Sequence, residues 1–331
     1  MRDAFYIGVD VGSVSTNLVL LTPAGEVREA LYLRTLGEPI RALQAGLAEL
    51  HGRLTEAGCL RPTILGCGAT GSGRQLAAAV LGADVVKNEI TAHAVAALAC
   101  VPDVRTVLEI GGQDSKIIII RDGIVVDFAM NTVCAAGTGS FLDRQAARLG
   151  IDIADFGRLA LSARAPVRIA GRCAVFAESD MIHKQQMGHS PADIAWGLCQ
   201  ALVRNYLNNV GKGKEILAPI VFQGGVAANV GIVKAFAEAL GCEPFIPPHF
   251  GCMGAIGAAL LAREASRGRD ASAFRGFSAR NLDFRTRGVE CNGCANACEI
   301  VEVSAGGRII ARWGDRCGRH SNKLAQVAGA P

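Results

Sequence analysis

Ile7-Gly-Val-Asp-Val-Gly-Ser-Val-Ser-Thr-Asn-Leu-Val-Leu-Leu21 and Thr106-Val-Leu-Glu-Ile-Gly-Gly-Gln-Asp-Ser-Lys-Ile-Ile-Ile-Ile120 are two copies of one design. A shift of 99 residues lays Asp10 on Glu109, Gly12 on Gly111, Ser15 on Asp114 and Leu18–Leu21 on Ile117–Ile120. Each copy reads as an apolar strand ending on an acid, a glycine turn, and a second apolar strand. Such a turn of Gly, Ser and Thr wraps phosphates with backbone N–H groups and hydroxyls. The repeat predicts a duplicated α/β domain with a cleft between its halves.

Outward from the copies the pattern alternates. A strand is expected over 27–33, a helix over 39–56, a short strand over 62–65, and a glycine-rich turn over 66–73. Asn88 reads as the N-cap of a helix reaching about residue 99. The hairpin turn Asp122-Gly123 leads to a strand over 124–129. Further on come a helix over 191–210, a buried strand opening 219–229, a last strand over 243–246, and a Gly/Ala-rich helix over 252–263. The 331 residues are half hydrophobic and 19% charged, enough for a large core, and no apolar run reaches membrane-spanning length. The opening residues contain no signal-peptide core, which predicts a cytoplasmic protein.

The nucleotide readings follow from these turns. Gly12, Ser13, Ser15 and Thr16 form the first phosphate turn, with Asp10 placed to hold Mg²⁺ through water. Gly111 and Gly112, with Gln113, Asp114 and Lys116, form a facing clamp. Gly224, Gly225 and Asn229, in Gln223-Gly-Gly-Val-Ala-Ala-Asn229, suit a ribose and adenine site. Gly137 and Gly139 join the same binding set.

Two of the 12 cysteines stand in a shared setting. Cys134, in Asn131-Thr-Val-Cys-Ala-Ala-Gly-Thr-Gly139, precedes a helical pattern over 141–149. Cys173, in Gly171-Arg-Cys-Ala-Val-Phe-Ala-Glu-Ser-Asp180, precedes another. A helix N-terminus favours a thiolate, whereas a free cysteine elsewhere is ordinarily a small buried hydrophobe. In a reducing compartment cysteines point to thiols and metal sites rather than disulfides. Two thiols do not fill a four-thiolate cubane, so one shared cluster would need a second copy of the chain.

Gly8-Val-Asp-Val-Gly-Ser13, Glu109-Ile-Gly-Gly112 and Phe222-Gln-Gly-Gly-Val226 resemble the phosphate-1, phosphate-2 and adenosine motifs of the actin, sugar-kinase and heat-shock chaperone ATPases, whose fold is ribonuclease-H-like. Gly111-Gly-Gln-Asp-Ser-Lys116 and the two cysteine segments resemble a narrower family: ATP-dependent activators of 2-hydroxyacyl-CoA dehydratases, with the related benzoyl-CoA reductase ATPase subunits and double-cubane protein reductases. The resemblance covers about residues 6–261. It implies catalytic roles around Asp10, Glu109, Gln113 and Asp114, ATP and Mg²⁺ as cofactors, and a homodimer sharing one [4Fe–4S] cluster through Cys134 and Cys173. It further implies a partner iron–sulfur dehydratase or reductase and a low-potential donor such as ferredoxin or flavodoxin. Glu109 departs from the superfamily's usual Asp. A small-molecule kinase, or a nucleotide-dependent sensor with a zinc module, are the competing functions.

After the activase domain (1–265) a linker is expected over 266–283, a metal module over 284–320 and a flexible tail over 321–331. Cys291, Cys294, Cys298 and Cys317 have the spacing C-x2-C-x3-C-x18-C, which fits zinc and a second iron–sulfur cluster equally. His320 is expected to face solvent. From residue 263 onward 12 Lys and Arg face 7 Asp and Glu; without aromatic interleaving, this basic bias reads as a solvated or partner-facing surface rather than a nucleic-acid site.

Overall fold

The computed structural model describes residues 3–131, 134–269 and 271–321. Expectations for most of the terminal tail therefore lie outside the described residues. The chain divides into two compact units, 1–92 with 254–331, and 93–253.

The first unit opens with β1 (Ala4–Val11), β2 (Ser15–Leu21), β3 (Val27–Arg34), α1 (Pro39–Glu56), β4 (Thr63–Thr70), α2 (Arg74–Leu81) and β5 (Val85–Val86). Its five strands lie in the order β3-β2-β1-β4-β5, with β1 antiparallel to β2 and parallel to β4. Proline starts α1, where a missing N–H costs nothing. Leu43, Leu47, Leu50 and Leu54 repeat along one face of α1 and are buried. The stretch expected as a glycine-rich turn over 66–73 is mostly strand β4. Its glycines serve packing: a side chain on Gly68, or on Gly8 of β1, would strike the backbone of residues 255–259.

The second unit repeats this plan. After α3 (Glu89–Cys100), whose Thr91 N–H donates to the Asn88 side chain at 2.9 Å as expected of a cap, come β6 (Thr106–Ile110), β7 (Ser115–Arg121) and β8 (Ile124–Asn131). Then follow α4 (Gly139–Leu149), α5 (Ile153–Leu161), α6 (Ala174–Gln186), α7 (Pro191–Asn209), β9 (Ile220–Gln223) and α8 (Val230–Leu240). The sheet order is β8-β7-β6-β9, again antiparallel on one side of the first strand and parallel on the other. The strand expected over 243–246 is reduced to a single parallel bridge, Val221 to Phe245. The core gathers around α7, whose Leu198, Leu202 and Tyr206 are fully buried, with Phe222 and Phe236.

The chain then returns to the first unit through α9 (Met253–Ala265). The expected linker is a packed segment. Ala273 N–H and the Ser272 hydroxyl bond the Asp84 carboxylate, and Phe277 and Ala279 are buried in the first unit's core. An antiparallel meander follows, β10 (Phe284–Glu290), β11 (Glu299–Ala305) and β12 (Arg308–Trp313). Phe284 and Val303 enter the same core, so this module is an extension of the first unit. No helix among the described residues is long and apolar enough to cross a membrane.

Candidate nucleotide turns and cysteine face

The two glycine turns are built alike. Gly12 N–H donates to Ser15 O at 2.8 Å, and Gly111 N–H to Asp114 O at 3.0 Å. Asp10 stands opposite Asn17 in the β1–β2 register, and Glu109 opposite Lys116 in β6–β7. The 99-residue offset therefore holds residue by residue in three dimensions.

In the first unit, the Asp10 carboxylate occupies a niche bounded by Gly71 and Gly254, where a side chain would overlap it. Gly71 also has a positive φ of 87°, which a side chain resists. Thr35 supports the turn from behind. Its hydroxyl donates to Gly12 O at 2.9 Å and lies 2.9 Å from the buried Thr16 hydroxyl. Ser13 is exposed and Ser15 half-buried at the turn surface.

In the second unit, Lys116 is buried and bridges Glu109 at 3.0 Å and Asp114 at 2.8 Å. Burial opposes its charge, but the two carboxylates outweigh it and hold the ammonium above its ordinary pKa. The longer Glu109 arm thus ends on Lys116. Gln113 is exposed on the turn. Gln223, paired with Glu109 across β6–β9, has its amide nitrogen 2.8 Å from His93 Nδ1. Burial, then the nearby Lys116, push the His93 pKa down to about 3, so the ring is neutral. Gly224 has a positive φ of 90°, and a side chain there would meet Ile110 O and the Glu109 carboxylate. Gly225 is exposed, and Asn229 caps α8 by accepting from Gly231 and Ile232 N–H at 3.0 and 3.1 Å.

Several buried polar atoms of these segments have no hydrogen-bond partner among the described residues: Ser115 Oγ, Gln223 Oε1 and Asn229 Nδ2. Buried polar groups are ordinarily satisfied, so this donor and acceptor set fits a polar ligand such as a nucleotide.

The cysteine segments adjoin in the second unit. Cys134 Sγ lies 4.0 Å from Arg172 O, the residue before Cys173. Asn205 of α7 donates to Gly171 O and Arg172 O at 3.2 and 2.6 Å. Asn131 holds Cys134 by accepting its N–H at 3.0 Å and donating to its carbonyl at 2.8 Å. Cys173 is the N-cap of α6, as expected. Cys134 instead caps a 3-10 turn, Ala135–Gly137, and α4 starts only at Gly139. Gly137 is buried against the Asn205 side chain. The helices that follow the cysteines are joined, since Glu178 of α6 pairs with Arg148 of α4 at 2.6 Å and with Arg144 at 3.5 Å. Gly139 and Ser140 N–H groups donate to Gly111 O and Gly112 O at 2.9 and 2.8 Å.

Sequence reading missed Ser140, Thr35, Asn205, His93 and the Glu178 pair. Ser140 begins a helix, a usual signal for a side chain that bonds backbone; the others are set by tertiary contact alone.

A duplicated βββαβ half with paired glycine turns defines a mixed α/β protein. The chain belongs to the BadF/BadG/BcrA/BcrD ATPase family, which matches residues 7–262. It is 34% identical over 264 residues to the (R)-2-hydroxyglutaryl-CoA dehydratase activating ATPase of Acidaminococcus fermentans, covering 78% of this chain and 96% of that protein. It is 30% identical over 265 residues to a benzoyl-CoA reductase subunit from Thauera aromatica, covering 76% of this chain and 91% of that one. Among solved structures, the 2-hydroxyisocaproyl-CoA dehydratase activator of Clostridium difficile with bound ADPNP superposes with a TM-score of 0.72 at 30% identity, covering 80% of this chain and 96% of that chain.

Proposed function

We propose that this protein is an ATP-hydrolysing iron–sulfur activator that passes a low-potential electron to a partner iron–sulfur enzyme. The partner is a 2-hydroxyacyl-CoA dehydratase, a benzoyl-CoA reductase or a double-cubane protein, and ferredoxin or flavodoxin is the donor. The observation that carries this is the adjoining Cys134 and Cys173 segments, one of them bonded through Gly139 and Ser140 to the Gly111–Gly112 turn.

The residues fit both cofactors. Asp10, in its glycine-walled niche, would hold Mg²⁺ through water, and the Gly12–Thr16 and Gly111–Gly112 turns would hold phosphate. Gln113 and Asp114 lie on the second turn, where Gln113 would orient the attacking water and Lys116 fixes Asp114 and Glu109 in place. Cys134 and Cys173 are half-buried soft donors on one face. Two per chain require a second copy to complete four thiolates. Val175 and Phe176, immediately beyond Cys173, are 70% and 60% exposed, an apolar surface suited to that second copy. When bound, a [4Fe–4S] cluster supplies a one-electron store whose potential follows its charge and surroundings.

The chain's own part is transmission. A rearrangement of the Gly111–Gly112 turn on nucleotide binding pulls Gly139 and Ser140, and Glu178 carries it to the Cys173 helix.

The test is anaerobic reconstitution followed by iron analysis and ATP-dependent reduction of a partner protein. About four irons per pair of chains and electron transfer only with ATP are expected. A protein that stays colourless and iron-free after reconstitution yet turns over ATP would instead favour the kinase reading.

A further inference from the structure

The family match ends at residue 262, yet five soft or borderline metal donors lie beyond it on two loops. Cys291, Cys294 and Cys298 occupy the β10–β11 connection, and Cys317 and His320 follow β12. In the antiparallel meander β10 and β12 run the same way, so both loops emerge at one end of the sheet. Cys291 N–H donates to Cys298 O at 2.8 Å and closes the first loop. The second loop lies against it: a side chain on Gly293 would sit 3.4 Å from the Arg319 guanidinium and 3.5 Å from Cys291 Sγ. Asp315 anchors the second loop by accepting from His320 N–H at 2.7 Å and from the Ser321 hydroxyl.

The result is one informative separation. His320 Nε2 stands 3.5 Å from Cys291 Sγ. Two ligands of a single tetrahedral zinc, with bonds of about 2.3 Å to sulfur and about 2.05 Å to nitrogen, lie about 3.6 Å apart. The protein ligands of a cubane bind different irons and stand farther apart than ligands sharing one ion. We propose that the end of the meander holds one zinc-type divalent ion through Cys291, Cys294, Cys298 and His320. His320 is then a ligand rather than a solvent-facing residue, and with the three cysteines of the first loop it fills a four-coordinate set that leaves Cys317 out. Among the described residues no three such donors already stand at metal-holding distance; Cys294 and Cys298 both close onto the Cys291–His320 pair when the ion binds. The ion ties together two loops that the sheet alone leaves joined by few bonds. The proposal does not depend on the interface cluster.

Elemental analysis of the full chain grown with zinc should give about one zinc per chain. Cobalt(II) exchange should give the visible bands of a tetrahedral ion with thiolate charge transfer. Cys291→Ser and His320→Ala should each weaken zinc binding at least tenfold, and Cys317→Ser should leave it unchanged. His320→Cys should restore the ion with stronger thiolate charge transfer, which separates ligation from a folding defect. The interface cluster is read separately as iron. Absence of zinc and of tetrahedral cobalt bands overturns the proposal. So does iron retained in the Cys134→Ser/Cys173→Ser chain, or zinc lost from Cys317→Ser but kept by His320→Ala.

Discussion

Ser140 is bonded twice to one atom: its N–H and its hydroxyl both donate to Gly112 O, at 2.8 and 2.5 Å. The first donors of a helix ordinarily look to a cap or to water. Here the first turn of α4 uses them on the Gly111–Gly112 turn, six residues from Cys134.

Ser140→Ala removes the hydroxyl bond and keeps the backbone one. A loss of about 1 kcal/mol in stability is expected, measured by urea denaturation. The difference in amide hydrogen exchange over 134–140 between ATP-analogue and ADP states should shrink. An unchanged difference would show that the hydroxyl transmits nothing.

Asp10→Ala deletes a carboxylate from a niche already walled by Gly71 and Gly254, and no core volume. Turnover of Mg-ATP should fall on the order of a hundredfold or more with an unchanged circular dichroism spectrum. Wild-type turnover would remove Asp10 from the mechanism.

His93 gives a pH signature. Its pKa is lowered from 6.5 to about 3 in the folded chain, by burial first and by Lys116 second. Between those values the unfolded chain binds more protons, so stability rises with pH there. The contribution is complete above about pH 6.5 and is lost progressively as pH falls toward 3. Urea midpoints measured from pH 7 down to 4 should decline, and His93→Gln should flatten the decline. Parallel curves for the two proteins would assign the acid sensitivity elsewhere.

Cys134→Ser and Cys173→Ser should each abolish the shared cluster, because each substitution takes two of four thiolates from a pair of chains. Iron content and the visible spectrum after anaerobic reconstitution report it. Either variant keeping the wild-type spectrum and midpoint potential would refute shared ligation.

Truncation after Ser266 tests the attachment of the C-terminal segment. It strips Phe277, Phe284 and Val303 from the first unit's core, and burial of each such side chain contributes about 1.5–3 kcal/mol. The truncated chain should therefore melt well below the full chain and lose ATP turnover. Equal melting temperatures would mean that the segment is a separable module after all.

The duplicated halves were legible because the repeat is carried by residue types that the turns require, and its offset holds in the hydrogen bonds. The bounds of α1 were equally legible, since Pro39 and the leucine spacing mark a start and a face. The glycines at 66 and 68 misled, because a helix approaching a strand asks for the same residue as a turn. The irregular order of Arg, Ser and Gly after 264 hid a packed segment, held by one acid, Asp84, nearly 190 residues away in the chain. The two glycine turns and the helix start after Cys173 lie where the pattern placed them. The 3-10 turn after Cys134 and the Ser140 contact depend on Gly111 and Gly112, which no local pattern announces.

The two halves differ at one equivalent place: Asn17 faces Asp10, and Lys116 faces Glu109. The two copies are chemically unlike at this place. One copy sets its carboxylate opposite a neutral amide, which brings no charge of its own. The other carries its counterion covalently, as a buried ammonium that neither dissociates nor competes with magnesium. The repeat thereby carries a polarity, with a carboxylate suited to an exchangeable cation in one half and a permanent cation built into the other.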